Sequence, residues 1–424
     1  MFLQARSHFD IFLCVCPLKH SHNRQNHHHI VTMKSLLAFT TATLAASAVP
    51  SLTDLDQLTA YTFETYVSEF NKAYATSSLE HQARKAKFEV NKLDIIAHNQ
   101  DKSNTWFKTI NQFSDMDSVE FSNSHGFVHS RGVKTPTYLS SKELNIPADF
   151  QLSSLPKTVD WRTGELNPRG GDFVTPIKNQ GMCGSCWAFS STENIESHVA
   201  LDANLTTPIV LSPQNLVSCD PNPKHCGGKG GCLGSVPELA FDWVKTNGLA
   251  SEQDWPYVSG HTSINEACNN TAKPAAHITG YVKLSANNYT EVMYTLANIG
   301  PVAVNVDAIP MQSYGGGLMT GCALDDTHID HVVQLVGFGY DSDFDKNYWI
   351  MRNSWGTTWG IDGYMHLLRR EPSENWCSLD IYPLDGTGCD GGPGTLNVCG
   401  SCGVLFDVSY PIGGSVGGSV AKEE

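Results

Sequence analysis

Cys186 has the surroundings best suited to covalent chemistry in this chain. It stands in Asn179-Gln-Gly-Met-Cys183-Gly-Ser-Cys186-Trp-Ala-Phe-Ser190, where the small and apolar residues after it predict a buried helix that starts at the thiol. A thiolate there is favoured by the partial positive charge of the helix N-terminus, and a neighbouring imidazolium lowers its pKa further. Such a thiol is a nucleophile at neutral or acid pH. Cys183 and Cys186 also form a C-x-x-C pair, which two other chemistries use. A zinc site would need a second ligand pair, available as Cys399 and Cys402. A redox pair would follow a buried strand in a βαβ unit. Neither has a use for Gln180 or for the His and Asn downstream.

A base and an orienting group are present well beyond the thiol. His331 follows Asp330 and precedes Val332-Val-Gln-Leu-Val-Gly-Phe-Gly-Tyr340, which reads as a buried strand running into a Gly-rich turn; His328 is its competitor. Asn353 lies in Tyr348-Trp-Ile-Met-Arg-Asn353-Ser-Trp355-Gly356. An Asn carbonyl can accept from an imidazole and fix its tautomer, as an Asp does in serine triads.

Taken in order, these segments resemble the papain-like cysteine proteases of the cathepsin L type: C-G-S-C-W at Cys186, a His followed directly by an apolar strand, and N-S-W-G from Asn353. The resemblance implies Cys186 as nucleophile, His331 rather than His328 as general base, and Asn353 as its orienting partner. Trp355 would cover the His–Asn hydrogen bond, and Trp187 supports the nucleophile beside it. The Gln180 amide and the nucleophile's own N–H would form an oxyanion hole, each donor lowering the barrier by about 3–4 kcal/mol.

The family has a Gly pair where this chain has Gly234-Ser235; Ser235 keeps the backbone that would bind substrate and adds bulk. Asn305 and Val332 would line the pocket for the second residue before the cut, implying a mostly apolar preference there. No double-His occluding loop is seen, which favours an endopeptidase, while an insertion at 221–231 would narrow the cleft. The stretch 341–346 reads as a surface insertion. Matching the family frame implies the disulfides Cys183–Cys232, Cys219–Cys268 and Cys322–Cys377. Cys226, Cys389, Cys399 and Cys402 are then surplus, enough for two further bridges of open pairing, with Cys186 the single free thiol of the mature chain.

Elements that would position and control this site come before it. The stretch from Glu80 carries Glu80, Arg84, Phe88, Asn91, Ile95 and Asn99 at helical steps, with Glu80 and Arg84 at ion-pair spacing. From the periodicity this is an amphipathic helix. It also resembles, at all six positions, the ERFNIN motif of cathepsin L-like propeptides. Asn111-Gln-Phe113-Ser-Asp115 resembles the second propeptide motif, with Thr109 where that motif has Gly, so a different local turn is expected. The resemblance implies an intramolecular inhibitor lying through the cleft against the substrate direction. A Pro- and Ser-containing linker over about 128–157 is a site for proteolytic nicking, and Leu155-Pro-Lys-Thr-Val-Asp160-Trp161-Arg162 resembles a mature N-terminus, which sets the cut near residue 154.

The domain reading is therefore 1–32 an over-long leader, 33–48 a signal peptide ending in Ala46-Ser47-Ala48, 49–154 an inhibitory propeptide, 155–412 the peptidase domain and 413–424 a flexible Gly/Ser tail. The apolar run of the signal is about half a membrane span, so no membrane anchor is expected. Segment 388–411 reads as a disulfide-held flap before the last strand. Asn204, Asn269 and Asn288 open glycosylation sequons.

Composition agrees. The 424 residues are 41% hydrophobic and 17% charged, enough for a sizeable core, and the net charge of -15 argues against nucleic acid as a partner. Of thirteen cysteines, eleven lie from Cys183 onward, which suggests an oxidising compartment. The expectation is an α+β, papain-like fold of two subdomains, a helical left half with Cys186 and a β-barrel-like right half with His331 and Asn353. The function expected is a cysteine endopeptidase made as a zymogen, acting on polypeptides as a monomer without metal or organic cofactor, in a lysosome- or vacuole-like compartment or outside the cell. A peptide ligase using the same acyl-enzyme, or a non-catalytic peptide-binding homologue, are the alternatives.

Overall fold

The helix read from the Glu80 repeat runs Leu79–Gln100, and Ser78 caps it by accepting from the His81 N–H. Phe88 and Ile95 enter a small core with Leu58, Phe63 and Tyr66 from two short helices, Leu55–Ala60 and Phe63–Glu69. The polar members of the repeat hold the chain that follows. Asn91 Nδ2 donates to the carbonyls of Ser114 (2.9 Å) and Met116 (2.8 Å), and Asn99 exchanges two 2.8 Å bonds with the Lys108 backbone. Arg84 reaches the Asp115 carbonyl at 3.1 Å and Glu120 at 3.0 Å rather than Glu80, which is exposed. The helix thus measures out residues 108–116.

This computed structural model describes residues 54–124, 143–269, 271–322, 327–374 and 376–417. The expected leader, the signal peptide, much of the linker and the end of the tail lie outside the described residues.

The large sheet is built on the long strand His331–Asp341, which pairs with Val302–Val306 on one side and Lys346–Arg352 on the other. Residues 341–346 form the turn of that second hairpin. Beyond Lys346–Arg352 come Tyr364–Leu368 and Tyr314–Met319; beyond Val302–Val306 come Val408–Ile412 and Gly280–Lys283. The edge next to Tyr314–Met319 is taken by Trp106–Lys108, so the first segment adds an antiparallel strand to the sheet of the second. Val302–Val306 is buried at every position, as a central strand should be, with Asn305 its one polar residue.

Against this sheet packs the helix Cys186–Asp202, whose residues are buried all round except the last. With Pro213–Cys219 and Pro237–Asn247 it makes the helical half. A buried ion pair joins the halves, Arg352 to Glu193 at 3.3 Å, and Lys178 pairs with the buried Glu196 of the same helix as Glu193. Such pairs constrain geometry because losing one partner strands a buried charge.

Cys183–Cys232 and Cys219–Cys268 are bridged as expected. The expected Cys322–Cys377 bridge is corrected: Cys322 pairs with Cys402, and Cys377 with Cys399. The cause is a hairpin in the C-terminal segment. Strands Cys377–Asp380 and Leu396–Cys399 pair antiparallel with Cys377 directly opposite Cys399, while the turn after them brings the Cys402 carbonyl to the Asp307 N–H at 3.0 Å, near Cys322. The remaining pair is Cys226–Cys389. The tail boundary at 412 also shifts, because Ser415–Val416 pairs with Pro274–His277.

Candidate active site

Cys186 is the first residue of its helix, and the Ser185 carbonyl accepts from the Ala188 and Phe189 N–H groups at 2.9 and 3.0 Å. The Cys186 thiol lies against the backbone N–H groups of Val332 and Trp187, and it is the free cysteine among the described residues. Trp187 turns away from it and donates its indole N–H to the Gly231 carbonyl at 3.0 Å.

His331 opens the long strand, and Asn353 directly follows the neighbouring one, so sheet pairing fixes both. His331 Nε2 and Asn353 Oδ1 are 2.8 Å apart. The same Oδ1 accepts from the Ser354 N–H at 2.8 Å, which marks it as an acceptor and gives the proton to Nε2. Nδ1 is then the basic atom of the ring. Trp355 stacks on that ring at 4.8 Å and 29°. His328, the competing histidine, instead faces Asp385 at 3.1 Å.

Gln180 is buried and held at both ends. Its Oε1 accepts from Ser354 Oγ at 2.7 Å and its Nε2 donates to the Cys183 carbonyl at 3.1 Å. Its backbone N–H donates to the Ser354 carbonyl (2.8 Å), and its own carbonyl accepts from Tyr257 Oη (2.8 Å). Gly181 follows at φ +59°, where a Cβ would come within 2.5 Å of the Gly260 carbonyl oxygen, so only glycine fits this turn. Ser354 and Tyr257 were not singled out by sequence reasoning. Ser354 lay inside the N-S-W-G run and could have been; Tyr257 carries no motif.

Burial dominates the titration of the pair. It pushes the Cys186 thiol up to about 12 despite the backbone N–H groups of Val332, Trp187 and Cys186 itself beside it. It pushes His331 down to about 4, opposed by the bond to Asn353. Both shifts favour the neutral forms.

Of the residues expected to bind substrate, Gly234 is close to the thiol's segment, donating its N–H to the Gly184 carbonyl at 3.2 Å. Asn305 and Val332 stand opposite each other on adjacent strands. Ser235 and Asn305 are buried, and Ser235 Oγ and Asn305 Oδ1 have no hydrogen-bond partner among the described residues. Asn204 and Asn269 are exposed, whereas Asn288 caps a helix by accepting from the Glu291 N–H at 3.2 Å.

The first segment closes on this site. Thr109, the position where a turn was expected to differ, donates its N–H to the Ser313 carbonyl at 2.9 Å and continues the added edge strand. Phe113 and Phe121 both meet the Trp355 ring edge-on at 5.3 Å. The family model of papain family cysteine proteases matches residues 155–386, and that of the cathepsin propeptide inhibitor domain (I29) matches residues 63–121. The chain belongs to the papain family of cysteine proteases.

Within that family it is 36% identical to the senescence-specific cysteine protease SAG39 of Oryza sativa subsp. indica over 346 residues, covering 80% of this chain and 93% of that one. It is 34% identical to procathepsin L of Mus musculus over 342 residues, covering 78% and 93%. Among solved structures it resembles digestive procathepsin L 3 of the Tenebrio molitor larval midgut, with a TM-score of 0.61 and 28% identity over 84% of this chain and 97% of that one. The protein is a papain-type cysteine endopeptidase with an α+β fold, carrying a cathepsin-type inhibitory propeptide. Among the described residues no helix is long and apolar enough to cross a membrane.

Proposed function

We propose that this papain-family zymogen, once its prosegment is removed, hydrolyses peptide bonds through Cys186, His331, Asn353 and Gln180. The Cys186 thiol gives its proton to His331 Nδ1, and the thiolate adds to the substrate carbonyl. The oxyanion is stabilised by the Gln180 side-chain amide and the Cys186 N–H. His331 then protonates the leaving amine, and water, deprotonated by the same ring, releases the acid from the acyl-enzyme. Asn353 keeps the ring in the tautomer this needs, and Trp355 keeps water from the His–Asn bond. The observation that carries this reading is the 2.8 Å bond from His331 Nε2 to Asn353 Oδ1, beside a thiol seated on the Val332 N–H. No metal or organic cofactor takes part.

The prosegment, 49–154, inhibits until cut near residue 154, and the peptidase domain begins at 155. The substrates are polypeptides, met by a monomer that has entered the secretory pathway and works in a lysosome- or vacuole-like compartment or outside the cell. Asn204 and Asn269, both exposed, are the sequons open to glycosylation.

The test is to express residues 49–424, acidify with a reducing agent, and follow a fluorogenic peptide beside a Cys186→Ala control. Hydrolysis that rises as the prosegment is lost, and is missing from the control, supports the reading. Correctly folded, processed protein that stays silent on varied peptides would leave only peptide binding.

A further inference from the structure

The disulfide Cys226–Cys389 ties together parts of the chain from opposite sides of the active site. Cys226 lies in the 221–231 insertion of the helical half, and Cys389 in the C-terminal segment that the hairpin Cys377–Cys399 and the Cys322–Cys402 bridge anchor to the other half. Two backbone bonds flank it, from the Gly227 N–H to the Gly388 carbonyl and from the Asp390 N–H to the Lys224 carbonyl, both 2.8 Å. His225 Nδ1 and Asp390 Oδ2 are 2.7 Å apart outside it, and Cys226, Cys389, Val236 and Leu239 pack together inside it.

Gly386 lies between Gly227 of the helical half and Ile329 of the sheet half. A Cβ on Gly227 would fall 2.4 Å from the Gly386 carbonyl oxygen and 3.0 Å from that of Ser235. A Cβ on Gly386 would fall 2.1 Å from the Ile329 carbonyl oxygen. Ser235 directly follows Gly234, and Ile329 stands two residues before His331. His328 holds Asp385, the residue just before segment 386–390, at 3.1 Å. Most of this segment lies past residue 386, where the match to the papain family model ends.

We propose that residues 386–390, fixed by Cys226–Cys389, form a rigid end wall of the substrate groove, so that no more than two residues before the cleaved bond are bound in it. The proposal rests on the assignment of Gly234, Ser235, Asn305 and Val332 to the acyl side of the cleft. A strand or lid could swing away from a longer substrate; a segment disulfide-bonded to the helical half and packed against Ile329 of the other cannot. The enzyme remains an endopeptidase, because residues further out can leave the groove, but they add no binding energy to spend in the transition state.

The test uses the activated enzyme, a Cys226→Ser/Cys389→Ser double variant and a Cys186→Ala control, with fluorogenic substrates of two, three and four residues before the cleaved bond. For the unaltered enzyme, kcat/KM should rise by less than about fivefold from the shortest to the longest, whereas filling further subsites normally adds about tenfold or more. The double variant should gain at least about tenfold on the longest substrate while the shortest is cleaved as before. A rise of fivefold or more in the unaltered enzyme overturns the wall, and so does a double variant with the same flat profile. If the double variant does not accumulate as folded protein, the unaltered enzyme's profile decides alone. Absence of Cys186-dependent hydrolysis at every length is a different result, and overturns the catalytic assignment on which the proposal stands.

Discussion

Gln112 of the prosegment donates its side-chain amide to the Trp355 carbonyl at 2.6 Å, and Trp355 is the residue whose indole lies on the His331 ring at 4.8 Å. The inhibitor therefore grips the shield of the proposed base. Thr358 Oγ1 donates to Gln112 Oε1 at 2.9 Å, so this amide is held at both ends.

Phe113 should be central to that grip. It is buried against Trp355 and Phe121, and truncating a buried Phe costs about 3–5 kcal/mol. A Phe113→Ala zymogen is expected to shed its prosegment and become active at a higher pH than the unaltered zymogen, read by gel and peptide hydrolysis across a pH series. An unchanged profile would mean that the contact contributes nothing to inhibition.

Asp115 holds the prosegment's own fold. It is buried, accepts from Tyr66 Oη at 2.9 Å and Tyr74 Oη at 2.5 Å, and pairs with Lys72 at 3.1 Å. Removing one partner of a buried pair costs about 3–5 kcal/mol by stranding the other. Asp115→Ala should lower the melting temperature of the zymogen and hasten activation, while leaving the kcat of the processed enzyme unchanged.

Gln180→Ala should lower kcat by about 10²–10³ with little change in KM, because its amide acts on charge that develops in the transition state. Steady-state kinetics on the processed enzyme checks this. A change confined to KM would assign Gln180 to ground-state binding instead.

The closed site should also be sensitive to acid. Burial lowers His331 to about 4 from its ordinary 6.5, so the closed form binds fewer protons there than an opened, solvated one. Its stability from this group is present above about 6.5 and is lost as pH falls towards about 4. Cys186, raised to about 12, has the opposite sign and acts only in alkali. In a Cys186→Ser zymogen, which cannot cut itself, prosegment release is expected to begin below about pH 6.5. Adding His331→Phe should shift that release to lower pH, measured by the fluorescence of the tryptophans.

Much of this was legible because the chemistry needs particular residue types at fixed places. Cys186 had to open a helix, His331 a strand, and both did. The six-residue repeat from Glu80 was read correctly as one helix face, yet Arg84 found Glu120 rather than Glu80, since a partner from another element is invisible to helical spacing. The Cys322–Cys377 pairing failed for a related reason. The hairpin that sets Cys377 opposite Cys399 has its second strand, Leu396–Cys399, past residue 386 where the family match ends, and a framework borrowed from a family cannot give that strand's register. Tyr257 steadies Gln180 from a loop far along the sequence, with no pattern to mark it.

The most direct test of the catalytic assignment is to treat the processed enzyme with a peptidyl electrophile that captures attacking thiolates, then locate the adduct by mass spectrometry. One adduct per chain, on Cys186, is expected, forming far more slowly after His331→Ala and blocking hydrolysis in proportion to labelling. Labelling elsewhere with loss of activity, or undiminished hydrolysis by a Cys186→Ala enzyme, would contradict it.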